Sequence, residues 1–508
     1  MYSKIKTCTL QGLDGHIIEV ETDLARGMPV FNIVGLPDAS IKESKERVRA
    51  AIKNSGYEFP LNRITINLAP ANLKKEGSQI DLSIAIGILI SNGIIKKSDF
   101  RDTIFLGELS LDGKINEVDG LLPMVISMRE LNIKRCIIPY NNKNECGFIS
   151  DIEIIPIKTL EEAISFLNEE LEIKPFSEDE NVSKIIEEFD LDFYDIKGQE
   201  GLKRALEIAA AGSHNMLIIG PPGSGKTMAA RRLPTILPEL SFEESIEVTK
   251  IYSISGLLSS HQLMTQRPFR APHHTCSSIA LIGGGRTPRP GEVSLAHQGV
   301  LFLDELPEFS KNVLEVLRQP MEDEVVHIAR VNSSLSFPAK FMFVASMNPC
   351  PCGYYGDSLH ECTCSQRDID RYLGKISFPL LDRIDIHFEV QPVNYDELKN
   401  TSKADTSNMI RNRVNAAKTI QIKRFKRDKI YSNSQIGNKD MKKHCTLKES
   451  SESIMEMAFK KYKFSARTYN KIIKVARTIA DLEGKDDIED NHILEAIRYR
   501  TLNNKYWG

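Results

Sequence analysis

The pattern of apolar and polar positions changes three times along the 508-residue chain. Through residues 1–168, short runs such as RITINLAPA and CIIPY alternate with segments of helical spacing, SIKESKERVRAAIKNS and SQIDLSIAIGILISNG. That alternation predicts an α/β domain. The stretch NEELEIKPFSEDENVSKIIEEFD, with Pro175 in its midst, is polar and acidic; it predicts a linker over 169–191 with some helix at its end. From 192 to 393, strand-like apolar runs lead into Gly-rich turns and then helical patterns, the order expected of a nucleotide-binding α/β core. Residues 394–508 are almost free of strand pattern and predict a helical domain.

Composition sharpens this picture only in part. With 41% hydrophobic and 27% charged residues the chain has the apolar content for well-formed cores, and disorder is excluded as its dominant state. The N-terminus MYSKIKTCTLQGLDGHIIEV is too polar for a signal peptide, and no apolar run approaches the roughly 20 residues that span a bilayer. A cytoplasmic protein with no membrane partner is expected. The formal net charge of −3 gives no global electrostatic reason to bind nucleic acid. Such a case rests on local features, and the basic run IKRFKRDK at 422–429 reads first as a solvated helix face, with a nucleic-acid role as the lesser alternative.

The chemistry is concentrated in the central region. MLIIGPPGSGKTMAARRL is an apolar strand, a loop of Gly220, Pro221, Pro222, Gly223, Ser224 and Gly225, and a helix opened by Lys226 and Thr227. This is the phosphate-binding loop in both spacing and context. Its glycines let backbone N–H groups close on phosphate oxygens at the positive end of the helix, Lys226 reaches the β and γ phosphates, and Thr227 ligates Mg²⁺. Downstream, GVLFLDELPEF is a buried strand ending in Asp304 and Glu305. Beside a phosphate loop, Asp304 takes the Mg²⁺ role and Glu305 that of the base that polarises the attacking water. A second apolar strand, KFMFVASMN, delivers Asn348 to the same sheet edge, where its amide can orient that water. Arg383 in PLLDRIDIHFEV and Arg467 in FSARTYNKII complete an ordered set able to stabilise charge in phosphoryl transfer.

Four of nine cysteines, Cys350, Cys352, Cys362 and Cys364, fall in NPCPCGYYGDSLHECTCS directly behind Asn348. Two Cys-x-Cys pairs can supply four thiolates to a closed tetrahedral Zn²⁺ site, with His360 as a substitute ligand. The alternative is a set of reduced or redox-labile thiols. The scattered Cys8, Cys136, Cys146, Cys276 and Cys445 read as small core or surface residues.

Together with DIKGQEGLKRALEIAAAGSHNMLIIGPPGSGKT, RPFRAPHHTCSSIALIGGG and FPAKFMFVASMNPCPCGYYGD, these motifs resemble the YifB/ComM family, magnesium-chelatase-like AAA+ ATPases. The resemblance covers essentially the whole chain. It implies an AAA+ core over 192–393, a helical lid over 394–508, ATP and Mg²⁺ as cofactors, and Gln199 in the segment bordering the adenine pocket. It makes Arg383 an arginine finger and Arg467 a sensor arginine, which implies an ATP-promoted ring, most simply a homohexamer. Residues 267–291 resemble the helix-2 insert and 322–340 the hairpin before the sensor strand. These elements place Arg267, Arg270, His273, His274, Arg286, Arg289, Arg330 and Lys340 where DNA would be gripped, or alternatively against neighbouring subunits or nucleotide.

Residues 1–168 resemble the Lon protease domain through ANLKKEGSQIDLSIAIGILI and LGELSLDGKINEVDGLLPMVISMRELNIKRCIIPYNN. A Lon-type peptidase needs a nucleophilic Ser and a Lys. Here the two positions fall on Gln79 and near Leu122, so protease activity is not expected unless Ser78 forms a shifted dyad with Lys74 or Lys75. The leading expectation is therefore an ATP-driven motor acting on single-stranded or branched DNA in recombination or natural transformation. The alternatives are a chaperone-like remodelling ATPase and, more remotely, the motor subunit of a magnesium chelatase.

Overall fold

A computed structural model describes residues 1–96, 99–177, 190–258, 262–285, 288–330, 333–357, 360–392, 405–426, 428 and 430–507. The chain forms two compact units, one of 1–186 with 242–265 and one of 187–241 with 266–508. Residues 242–265, which lie within the central region of the sequence reading, therefore group with the N-terminal unit. The helix suggested at the end of the 169–191 linker falls largely outside the described residues.

The first unit is built on a seven-stranded mixed sheet, ordered β3-β4-β2-β1-β5-β8-β9. Its strands are β1 (Tyr2–Gln11), β2 (Asp14–Ala25), β3 (Val30–Val34), β4 (Arg63–Ala69), β5 (Thr103–Phe105), β8 (Arg135–Pro139) and β9 (Glu153–Ile157). The short strands β6 (Glu108–Leu109) and β7 (Ile115–Asn116) form a separate antiparallel pair. Alternation sets the register of β4, where Ile64, Ile66 and Leu68 are buried. The almost uniformly apolar helix Asp81–Ser91 is buried nearly all round and packs on β1 and β2. On the other face, helix Leu121–Glu130 packs against helix Phe242–Ile254, which is what recruits the later segment to this unit.

The second unit carries a five-stranded, wholly parallel sheet ordered β11-β14-β17-β10-β18. Its strands are β10 (Met216–Ile219), β11 (Phe269–Arg270), β14 (Val300–Leu303), β17 (Met342–Met347) and β18 (Ile386–Glu389). Continuous apolar runs suit strands covered on both faces, and β10, β14 and β17 are buried along their whole length. Two antiparallel pairs accompany this sheet: β12 (Gly283–Gly284) with β13 (Arg289–Pro290), and β15 (Val325–Arg330) with β16 (Ser333–Pro338). The C-terminal region is helical as its pattern predicts, and its helices share one hydrophobic core with the sheet. Among the described residues no helix is long and apolar enough to cross a membrane.

The 17-residue helix Ala466–Leu482 is capped by the Ser465 side chain, which accepts from the Thr468 amide. Near its end the fully buried Asp481 carboxylate binds both Arg424 and the buried Arg477. Removing the carboxylate strands two cations out of water, so Asp481→Ala is expected to destabilise this unit by roughly 3 to 5 kcal/mol. The denaturation midpoint of the full chain, followed by circular dichroism, measures it.

Candidate active site

The phosphate loop follows from where β10 stops. Gly220 donates its amide to the Met347 carbonyl (3.2 Å), which ties the loop to the end of β17. A Cβ at Gly220 would lie 2.9 Å from the Val390 carbonyl oxygen, so this close approach requires glycine. Gly223 (φ 76°) and Gly225 (φ 84°) turn the chain through left-handed conformations into helix Lys226–Arg232. The Lys226 ammonium donates to the Gly220 and Pro221 carbonyls (both 2.8 Å) and to Asn348 Oδ1 (3.2 Å). Burial lowers its pKa to about 8, against the opposing pull of Asp304 and Glu305.

The parallel register brings the acidic group to the same place. Leu303 pairs with Ala345 and Ile219 with Met347, so Asp304, Ser346, Asn348 and Gly220 gather at the carboxyl ends of three neighbouring strands. Thr227 Oγ1 donates to Asp304 Oδ2 (2.7 Å), while Ser346 Oγ and the Glu305 amide (3.1 Å) donate to Asp304 Oδ1. A hydroxyl and a carboxylate in contact are hard oxygen donors that suit Mg²⁺ completed by water and phosphate oxygens. Glu305 adopts a left-handed conformation (φ 53°) and its side chain is exposed, next to a cavity also lined by Glu308, Asn348, Thr363, Cys364 and Tyr372. Ser346 was not singled out by motif. Its signal was a lone hydroxyl inside an apolar strand, which must find a partner once buried.

Arg383 and Arg467 stand elsewhere. Arg383 Nη1 donates to the Pro379 carbonyl (2.7 Å), its Nη2 pairs with Glu322, and its buried Nε has no partner among the described residues. Arg467 Nη1 donates to Asp382 Oδ2 (3.2 Å), immediately before Arg383. Neither arginine hydrogen-bonds to Lys226, Asp304 or Asn348. One helical turn beyond Arg467, Lys471 pairs with the mostly buried Asp385 (2.9 Å), which His214 also approaches (3.4 Å). Burial opposes ionisation of Asp385, but Lys471 and His214 outweigh it and hold the carboxyl well below its usual range. Gln199, in a left-handed turn (φ 56°), donates its side-chain amide to the Gln391 carbonyl (2.6 Å).

Two of the arginines considered for DNA contact are engaged within the chain. Arg267 donates to the Pro238 (2.6 Å) and Gln298 (2.7 Å) carbonyls, and Arg270 forms a two-pronged pair with Glu292 (2.7 and 2.8 Å). His273 stacks on His274 with ring centroids 4.1 Å apart, Arg289 is exposed, and the Lys340 ammonium lies 4.2 Å from the Tyr431 ring centre. Arg286 lies outside the described residues, as does the side chain of Arg330.

In the Lon-like unit, Ser78 Oγ donates to Glu108, Lys75 Nζ to the Pro70 carbonyl, and Lys74 pairs with Glu76. Gln79 is buried and its amide donates to the Glu76 carbonyl (2.8 Å), while Leu122 is fully buried. The shifted Ser–Lys dyad is therefore not assembled among these residues, since the Ser78 hydroxyl is directed to a carboxylate.

The four cysteines of the Asn348 loop do converge. Their Sγ atoms all lie within 4.8 Å of one another, at 3.3 Å for Cys350–Cys352, 3.7 Å for Cys350–Cys362 and 3.6 Å for Cys352–Cys362. These separations exceed a disulfide's roughly 2.05 Å. Burial opposes ionisation of Cys352, but the Tyr354 and Thr363 amides and the neighbouring thiols outweigh it and lower its pKa to about 6. Burial pushes Cys364 up to about 12. His360 is turned outward, its ring beside Tyr354 and Asp357, and is not a member of the cluster.

The family described as magnesium chelatase, subunit ChlI, matches residues 192–398, with its C-terminal part matching 404–500 and a further ChlI segment matching 20–142. The chain is similar to the competence protein ComM of Haemophilus influenzae, at 42% identity over 97% of this chain and 96% of that one. It is also similar to YifB of Escherichia coli, at 38% identity over 98% and 97%. Lon protease 2 of Bacillus subtilis shares 27% identity over 32% of each chain. The phosphate loop, the acidic strand end and the extended likeness together place this chain in the YifB/ComM family of magnesium-chelatase-like AAA+ proteins.

Proposed function

We propose that this protein is an ATP-hydrolysing ring motor that acts on DNA. The observation that carries the ATPase reading is the convergence of Lys226, Thr227, Asp304 and Asn348 at one edge of the parallel sheet, linked by direct hydrogen bonds. Lys226 and the loop amides would hold the phosphates, and Thr227 and Asp304 would hold a Mg²⁺ that, when bound, supplies charge neutralisation there. Asn348 and Glu305 orient and polarise the attacking water, with Glu305 accepting its proton. Gln199 borders the base.

Arg383 is held by the Pro379 carbonyl and Glu322 and not by the loop of its own chain, which supports a finger acting on the nucleotide of an adjacent subunit and hence a ring, a homohexamer by likeness to the family; Arg467, held by Asp382, is read as the sensor arginine. The DNA reading rests on the likeness to a competence protein, with the exposed His273 and Arg289 as contact candidates. Arg267 and Arg270 instead tie the start of the insert to the Pro238 and Gln298 carbonyls and to Glu292. The cysteine cluster is read as a structural zinc site: four thiolates about a tetrahedral Zn²⁺ with bonds near 2.3 Å stand about 3.8 Å apart, close to the 3.3 to 3.7 Å among Cys350, Cys352 and Cys362, with all four sulfurs within 4.8 Å. Zinc there would supply a cross-link between the two Cys-x-Cys turns.

Glu305→Gln is expected to bind ATP as the parent does while turnover falls at least about a hundredfold; normal turnover would remove Glu305 from its role. Arg383→Ala should abolish turnover alone but regain part of it when mixed with Lys226→Ala chains, because each then supplies what the other lacks. If mixing restores nothing, action across a subunit boundary is ruled out. Turnover should rise with single-stranded or four-way-junction DNA, with binding that weakens steeply as salt increases. Stimulation by an unfolded protein and not by DNA would sink the DNA reading.

A further inference from the structure

The loop that bears the cysteines touches the phosphate loop at two separate points. Asn348, two residues before the first cysteine, accepts from Lys226 Nζ at 3.2 Å. The second contact is at Gly353. The turn Cys350–Gly353, with Pro351 at its second position, is closed by the Gly353 amide donating to the Cys350 carbonyl (3.0 Å). It sets the Cys350 and Cys352 sulfurs 3.3 Å apart and ends on Gly353 at φ 91°. A Cβ there would fall 2.5 Å from Pro222 Cδ and 2.7 Å from Pro222 Cγ. The bare backbone of the cysteine turn is thus seated on the proline ring of the phosphate loop.

Apolar packing also seats the turn, with Cys350 fully buried in the core and Cys352 and Tyr355 against it, but no regular backbone structure does. Between β17, which ends at Met347, and helix Gln366–Leu373, the described residues form no helix or strand. The second Cys-x-Cys element reaches back to the first through the cluster, with the Cys352 amide donating to Cys364 Sγ (3.4 Å). Contacts between neutral thiols are weak, and four thiolates without a cation repel. A thiophilic divalent cation converts the same set into a cross-link that closes the loop.

We propose that the four-cysteine centre is a strut for the phosphate loop: its metal occupancy fixes the Gly353 backbone against Pro222 and so sets nucleotide affinity. This rests on the thiolate–metal reading above. Gly353 and Pro222 are positioning residues in this scheme, acting through the loop amides and Lys226.

Metal content and nucleotide affinity, measured on the same full-length protein, test the proposal. Protein purified without chelator should carry one zinc per chain. Stripping it with a thiol-reactive mercurial followed by dithiothreitol and chelator, with the fold verified by circular dichroism, should weaken binding of a fluorescent ATP analogue about tenfold. Added zinc should restore it. Gly353→Ala should keep its zinc yet bind the analogue about tenfold more weakly, separating the strut from the metal itself. One zinc per chain with equal affinity in loaded and stripped protein would overturn the strut and leave the metal site standing. A folded protein that neither retains nor takes up zinc would overturn both.

Discussion

The parallel register of β14, β17 and β10 is the constraint on which the chemistry depends. Because Leu303 pairs with Ala345 and Ile219 with Met347, the three strands stop together and Asp304, Ser346, Asn348 and Gly220 emerge side by side. Slipping one of these strands by a single residue would send its own contribution to the opposite face and break the group. The register is held by strands buried along their full length, so the site inherits its precision from the hydrophobic core and not from the polar groups themselves. The polar groups then lock together: Asp304 is gripped by Thr227, Ser346 and the Glu305 amide.

What could be read from the sequence is what short-range chemistry imposes. The loop from Gly220 to Thr227 needs its glycines and lysine at fixed spacing, and Asp304 and Asn348 each end an apolar run, so strand-end placement follows from periodicity. The cysteines were legible for the same reason, being two local pairs. The fate of Arg267 and Arg270 was not, because their partners, the Pro238 and Gln298 carbonyls and Glu292, are decided by tertiary packing. A basic cluster in an insertion reads the same whether it faces a ligand or braces its own backbone. The grouping of 242–265 with the N-terminal unit was hidden likewise, since its partner helix Leu121–Glu130 is far away in sequence. Gly353 carried no motif; its importance appears only once Pro222 lies against it.

Burial and charge are used differently in the two halves of the second unit. Around the phosphate loop a single lysine is partly desolvated, which lowers its pKa to about 8 and concentrates its field on the adjoining oxygens. In the helical region, ion pairs are complete, Asp481 with Arg477 fully buried and Asp385 with Lys471 mostly so. Such pairs add little net stability but penalise any arrangement that separates them. The first design suits a site that must exchange its partner, the second a joint that must keep it.

That joint has a mechanical consequence. Asp382 and Asp385, three residues apart and on either side of Arg383 and Ile384, meet Arg467 and Lys471, four residues apart on one helix face. Two anchors spaced along an axis transmit rotation as well as translation, whereas one would act as a pivot. Helix Ala466–Leu482 is thereby tied in orientation as well as in position to the turn carrying Arg383.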